Sequence, residues 1–145
     1  MKEIVILHLY GDTLDLYGDF FNVTCITSRL DQLGIPCRVI AANLGEPFDP
    51  MAADLIYLGH GKARNLAAVA GHFLPFGGRM REAVEADKLV LCTGSSRLLF
   101  GQSFQTFDGR EQPGIGLFDY TAIETGQVFT GDVVAKAAFD PHLTT

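Results

Sequence analysis

Charge is scarce in this sequence: Asp, Glu, Lys and Arg together make up 19% of the residues, and no run of Lys or Arg interrupts it. The formal net charge is −6 with a pI near 5.0. Such a chain has no basic field to offer a phosphate backbone, which argues against nucleic acid as a partner. Long apolar runs are lacking too. The stretch Ile4 to Tyr10 follows directly on Met1-Lys2-Glu3 and has neither the length of a membrane-spanning helix nor the cleavage site of a secretory signal. No membrane association is expected, and the location expected is cytoplasmic. Cysteine is sparse: Cys25, Cys37 and Cys92 are odd in number, far apart, without a C-x-x-C pair or histidines at zinc-ligand spacing. Disulfides and structural zinc are therefore not expected, and a cysteine here would matter only as a thiolate. There is no low-complexity tract or linker. Leu-Tyr-Gly-Asp occurs at 9–12 and again at 16–19, an offset too short for a solenoid repeat.

What the chain has is hydrophobic residues, 48% of its 145 positions, enough for one domain built on a sheet buried on both faces. Glu3 to Leu9 is a compact β-branched run and predicts a first strand. After Asp19, Phe20, Val23, Ile26, Leu30 and Leu33 recur at helical spacing and Gly34 closes the pattern, which predicts a capped amphipathic helix. Pro36 to Asn43 and Ala53 to Gly59 read as the second and third strands. Two helical pieces follow, Ala63 to Phe73 and Gly78 to Ala86, broken around Pro75 and the Gly77-Gly78 pair. Lys88 to Thr93 is the fourth strand, with a helix starting over Ser95 to Phe100. Beyond Gly101 the sequence is turn-rich, and two short β-prone runs flank Thr130-Gly131-Asp132. The order implies a three-layer, Rossmann-like (flavodoxin-like) α/β fold over residues 1–145: a mostly parallel sheet, helices on both faces, and an antiparallel extension near the C-terminus.

In open parallel sheets, sites form beyond the carboxyl ends of the strands, so three turns matter: His8 to Asp12, Gly59 to Arg64, and Thr93 to Arg97. Glycines at 59 and 61 would let backbone N–H groups approach a ligand closely, as an oxyanion hole requires. Lys62 does not belong to a phosphate loop, which needs glycine at 56 and Ser or Thr at 63, where Ile56 and Ala63 stand. Gly114 and Gly116 do not continue into a dinucleotide fingerprint. Asp12, Asp15 and Asp19 follow no calcium-loop pattern and suit turn and cap positions. No metal or other cofactor is implied.

Three segments taken together, "LYGDTLDLYGDFFNV", "YLGHGKARN" and "LVLCTGSSRLLFG", carry a resemblance. The chain resembles the CobB/CobQ-like class I glutamine amidotransferases, the glutaminase subunits of lipid II isoglutaminyl synthase among them. Residues 14–22 match the family's Leu-Asn-Leu-Tyr-(Gly/Ser)-Asp-x-Gly-Asn opening. Residues 59–64 match its Gly-Gly-Gly-x-Asp-Arg loop, and Asp108-Gly109 and Gly114 to Asp119 match later elements. The resemblance spans essentially the whole chain. It implies a Cys-His-Glu triad that hydrolyses glutamine and passes ammonia to a ligase-like partner, with an oxyanion hole near the Gly59 loop.

The family's nucleophile opens Cys-Gly-Gly-Tyr-Gln-x-Leu-Gly. Aligning its last two residues with Phe100-Gly101 puts Gly94 in the cysteine's place, in a register that needs no gap from the Gly59 loop to Asp119. Cys92 is the fallback nucleophile, since Cys92-Thr93-Gly94 fits Cys-x-Gly, but it requires gaps on both sides. Leu98 replaces the family's glutamine, only His142 follows Cys92, and the C-terminal segment that bears the family's histidine and acid is not matched. A serine nucleophile at Ser95 or Ser96 would need a positioned base even more than a cysteine does. The expectation is an inactive homologue with a binding or regulatory role. Gly59, His60, Gly61, Arg64, Gly94, Ser95 and Ser96 would hold a small carboxylate or amide, with Arg64 as a bidentate carboxylate ligand. The alternative is a working glutaminase using Cys92, with a histidine from His60, His142 or another chain, that supplies ammonia to a ligase in cell-wall or cobalamin-type amidation. An open sheet edge would favour a homodimer.

Overall fold

The computed structural model describes residues 2–106, 108–127 and 130–132. Its first strand, β1 (Ile4–Leu9), leads through an extended turn to α1 (Phe20–Gln32), then β2 (Cys37–Ala42) and β3 (Leu55–Leu58). Next come α2 (Ala63–Phe73), a 3-10 turn over Leu74–Phe76, α3 (Gly77–Glu85) and β4 (Leu89–Cys92). These strands form one parallel sheet in the order β2-β1-β3-β4. Alternation along the strands divides the core. Leu7, Leu9, Ile56 and Leu58 pack with Leu66, Val69 and Phe73 of α2 and Met80 and Ala83 of α3, whereas Ile6 and Tyr57 pack with Val23 of α1.

Register fixes where a site can form. Leu9 pairs with Leu58, and Leu58 pairs with Cys92, so β1, β3 and β4 end side by side and release their following loops together. The backbone is strained at the first of these exits: Tyr10, fully buried, has a φ of +58°. Its hydroxyl hydrogen-bonds His72 Nδ1 at 2.9 Å, which ties the left-handed turn to α2.

The chain departs from expectation in four places. The Asp19 side chain does not cap α1; the first helical amide, Phe20 N–H, donates instead to Asp15 Oδ1 at 3.0 Å. Pro75 alone accounts for the break between α2 and α3, because Gly77 and Gly78 are the first residues of α3. The absence of a side chain at Gly77 admits Ile115, whose Cβ would stand 3.1 Å from an added Cβ. After β4 the chain runs as a 3-10 helix, Gly94–Phe100, rather than an α-helix. The later strands do not extend the first sheet. They make a separate mixed sheet in the order β6-β5-β7, from β5 (Ser103–Gln105), β6 (Glu111–Pro113) and β7 (Thr121–Ile123). In it β6 runs antiparallel and β7 parallel to β5. The strands expected on either side of Thr130-Gly131-Asp132 lie for the most part outside the described residues, as does His142. Among the described residues no helix is long and apolar enough to cross a membrane.

Candidate functional site

Three loops meet at the carboxyl end of the parallel sheet. The loop after β1 is pinned to the loop after β3 by Leu16 N–H donating to the His60 carbonyl at 3.0 Å. Close approach leaves no room for side chains on the β3 loop. A Cβ on Gly59 would fall 2.1 Å from the Leu14 carbonyl oxygen, and one on Gly61 would fall 2.4 Å from Leu14 Cδ2. Glycine at 59 is therefore required by the Leu14 backbone, and a side chain at 61 would have to displace the tip of Leu14.

Beneath the loops lies a polar floor. Thr93 Oγ1 donates to Asp19 Oδ1 at 2.7 Å, and Tyr17 N–H reaches Asp19 Oδ2 at 3.3 Å. Tyr57, wholly buried, donates its hydroxyl to the Asp19 carbonyl at 3.0 Å and accepts from Asn22 Nδ2 at 2.8 Å. Burial pushes the Asp19 carboxyl upward, but hydrogen bonds from Thr93 and from the backbone N–H groups of His60 and Tyr17 outweigh it and hold the group below the usual carboxylate range. Thr93 opens one of the three turns expected to form a site; Asp19, Tyr57 and Asn22 are not among the expected site residues, and the one signal for Asp19 and Asn22 is the opening motif that contains them.

The turn after β4 faces this floor. Gly94 has a φ of +57°, a conformation that suits glycine. The space its side chain would need is occupied: an added Cβ would stand 1.9 Å from His60 Nδ1. His60 is fixed from both sides. Ser95 N–H donates to its Nδ1 at 2.8 Å, and Tyr17 stacks on its ring with centroids 5.2 Å apart at 15°. Because an amide N–H can only donate, Nδ1 is the acceptor, which places the ring's hydrogen on Nε2 of the neutral form. Ser95 Oγ in turn donates to the Gly61 carbonyl at 2.9 Å and lies 3.2 Å from Gly61 N–H. Ser96 Oγ is buried against the carbonyls of Thr93 at 2.9 Å and Leu58 at 3.1 Å. The two backbone donors that could face an oxyanion here, at Gly61 and Ser95, are thus bonded within the protein.

A cleft of about 400 Å³ opens beside this arrangement, with His60, Gly61, Lys62, Ser95 and Arg97 among its walls. Arg64 lies elsewhere. It is exposed on the first turn of α2 and borders a polar crevice shared with Asp12, Asp15 and Lys62. Arg97 is the arginine at the cleft. Cys92 does not reach the turn: it packs against the core and lines a separate apolar cavity. Burial pushes its thiol up to about 12, with only a small opposing effect from Ser96. The ring of His8 turns inward on Tyr57 at 5.3 Å, and its Nε2 is buried without a hydrogen-bond partner. Among the described residues, no group of three or more His, Cys, Asp or Glu side chains could hold a metal ion.

The sequence is 30% identical, over 140 residues, to the GatD subunit of the glutamine-hydrolysing lipid II isoglutaminyl synthase of Staphylococcus aureus. The similarity to that subunit extends over nearly the whole chain. The corresponding subunit from Streptococcus pneumoniae is 26% identical over 132 residues. The alignments take in 94% and 90% of this chain but 56% and 51% of the relatives, so the chain spans about half the length of the GatD proteins it matches. No family model matches it. The aligned region takes in all three loops of the cleft.

Proposed function

We propose that this chain is a catalytically inactive glutamine amidotransferase-like domain with a binding or regulatory role. The observation that carries the reading is the His60 ring, 1.9 Å from where a side chain on Gly94 would begin. In the register of the resemblance, Gly94 is the vacated nucleophile position, and covalent attack on an amide needs both a nucleophile and a base. The Ser95 N–H is spent on His60 rather than aimed at a developing oxyanion. The ligand proposed is a small carboxylate or amide in the cleft walled by His60, Gly61 and Ser95; Gly59 and Ser96, also expected to hold it, are not among the residues lining that cleft. Arg97 and Lys62 supply positive charge at the cleft, and Arg64 can contribute only if it folds in from its exposed position. The reading extends to a three-layer CobB/CobQ-like fold, a cytoplasmic setting, and a ligase-like partner in lipid II amidation, since the relatives are subunits of such a synthase.

The alternative, a glutaminase using Cys92, requires that thiol at the turn, ionised and near an imidazole. Incubation with a glutamine-like diazoketone followed by intact mass and adduct mapping separates the two. No adduct is expected. A Cys92 adduct blocked by glutamine would restore the enzyme reading. Calorimetric titration with glutamine and glutamate is expected to show saturable heat lost in Arg97→Ala, and absence of heat with both would remove the ligand-binding half of the proposal.

A further inference from the structure

The walls of the cleft decide what body a ligand there can have. Besides His60, Gly61 and Ser95, they include Leu16, Leu66, Leu98, Phe104, Ala122 and Ile123. These come from the loop after β1, from α2, from the 3-10 helix after β4, and from β5 and β7 of the second sheet. Leu66 and Phe104 are core residues, 2% and 1% exposed, so close packing fixes this side of the cleft. An apolar wall is thus built in.

The neutral polar side chains of the wall are engaged within the protein. Ser95 Oγ donates to the Gly61 carbonyl, Thr106 Oγ1 to Asp108 Oδ1, and Gln105 Nε2 to the Gly109 carbonyl at 3.0 Å. Ser95 and Thr106 thereby spend their one hydrogen each, and Gln105 is tied to the turn before β6. A carboxamide drawn in among them gives up water without replacing all of its hydrogen bonds, whereas an aliphatic body gives up none and covers apolar wall. Charge selects the other end of the ligand. Lys62 and Arg97 border the cleft together with a single acid, Glu124, and Arg97 is held over the turn by its bond to the Gly94 carbonyl at 3.2 Å. Two cations with one carboxylate favour a monoanion.

We propose that the cleft selects a monocarboxylate with a short branched aliphatic body and discriminates against a carboxamide such as that of glutamine. The carboxylate lies toward Lys62 and Arg97, and the aliphatic body lies against Leu66, Leu98, Phe104 and Ile123. A site that offers an amide no partner rejects it by the hydrogen bonds left unmade. The inference rests on the cleft reading given above and names the body of the ligand.

The probes are isocaproate and succinamate, which share a carboxylate and differ only in an isopropyl group against a carboxamide, with glutamine as a third. Calorimetric titration of the full chain is expected to show isocaproate binding about tenfold more tightly than either of the others. Arg97→Ala is expected to weaken isocaproate and succinamate alike. Ile123→Gln, on a side chain 64% exposed, is expected to narrow the gap between them with an unchanged circular dichroism spectrum. Succinamate binding as tightly as isocaproate would overturn the inference while leaving the carboxylate-or-amide reading of the cleft in place. A gap unchanged in Ile123→Gln would also overturn it, by putting the aliphatic body elsewhere, as in the apolar cavity beside Cys92, which Ile123 does not border. No saturable heat from any of the three would be the failure of the cleft reading itself and would remove both.

Discussion

The imidazole of His60 and the missing side chain of Gly94 occupy the same space: a Cβ at 94 would lie 1.9 Å from His60 Nδ1, 2.6 Å from Cγ and 2.9 Å from Cβ. Each residue holds the other in place. Glycine tolerates the left-handed turn and leaves the gap, and the ring fills it while accepting the next amide in the chain.

Gly94→Ala should therefore destabilise the fold by more than about 2 kcal/mol, the left-handed backbone alone costing about 1–2 kcal/mol and the ring displacement adding to it. His60→Ala in the same chain should recover part of the loss. Urea denaturation of the two single variants and the double variant measures the coupling. Purely additive effects would show that ring and Cβ do not compete for the space.

Alkylation should rank the cysteines by exposure and ionisation. Cys25 is exposed and should react first with iodoacetamide at pH 8, and Cys92 last, its thiol being pushed up to about 12 by burial. A raised thiol also makes a stability contribution that is full below the ordinary thiol value and is lost as pH rises toward about 12. Time-resolved peptide mapping gives the order, and a fast Cys92 would contradict it.

Asp19 works in the opposite sense. Its folded value lies below the ordinary carboxylate value, so its contribution is complete above about pH 4 and fades as pH falls through the folded value. Asp19→Asn should lower stability at neutral pH and flatten the acid limb of the stability curve. An acid limb of unchanged slope would mean that other carboxylates, such as Asp54 with Lys2 and Val5, account for it.

Tyr57→Phe removes one hydroxyl that serves Asn22, the Asp19 carbonyl and Thr93 at once. Stranding those groups should cost about 1–3 kcal/mol. Because Thr93 and Asp19 also set the loop positions, loss of small-ligand heat should accompany the loss of stability. A variant as stable as the parent would assign the floor no structural weight.

Much of the architecture follows from local pattern. The short apolar runs at 4–9, 37–42, 55–58 and 89–92 read as strands, and the helical spacing from Phe20 to Leu30 and from Ala63 to Phe73 needs no tertiary help to read. That these strands make one parallel sheet also follows from the alternation of strands and helices, whereas their order, β2-β1-β3-β4, comes from the structure. Local pattern fails where a side chain has two competing partners. Asp19 suits a helix cap, yet in the fold Thr93 and the amides of Tyr17 and His60 claim its carboxylate and Asp15 takes the exposed amide of Phe20. Arg64 sits in the motif loop but is not among the residues lining the cleft, while Arg97, thirty-three positions later, borders it.

The sequence by itself determined the α/β frame, the glycines of the loop after β3, and the absence of a side chain at position 94, because composition, periodicity and residue identity need no partner to act. Only the tertiary structure decided that His60 fills the space at Gly94, that Cys92 is buried away from the turn, and that β5, β6 and β7 form a sheet of their own. These depend on which distant side chain wins a shared volume or a shared hydrogen bond, and that competition is settled only when strands 30 or more residues apart are brought into register.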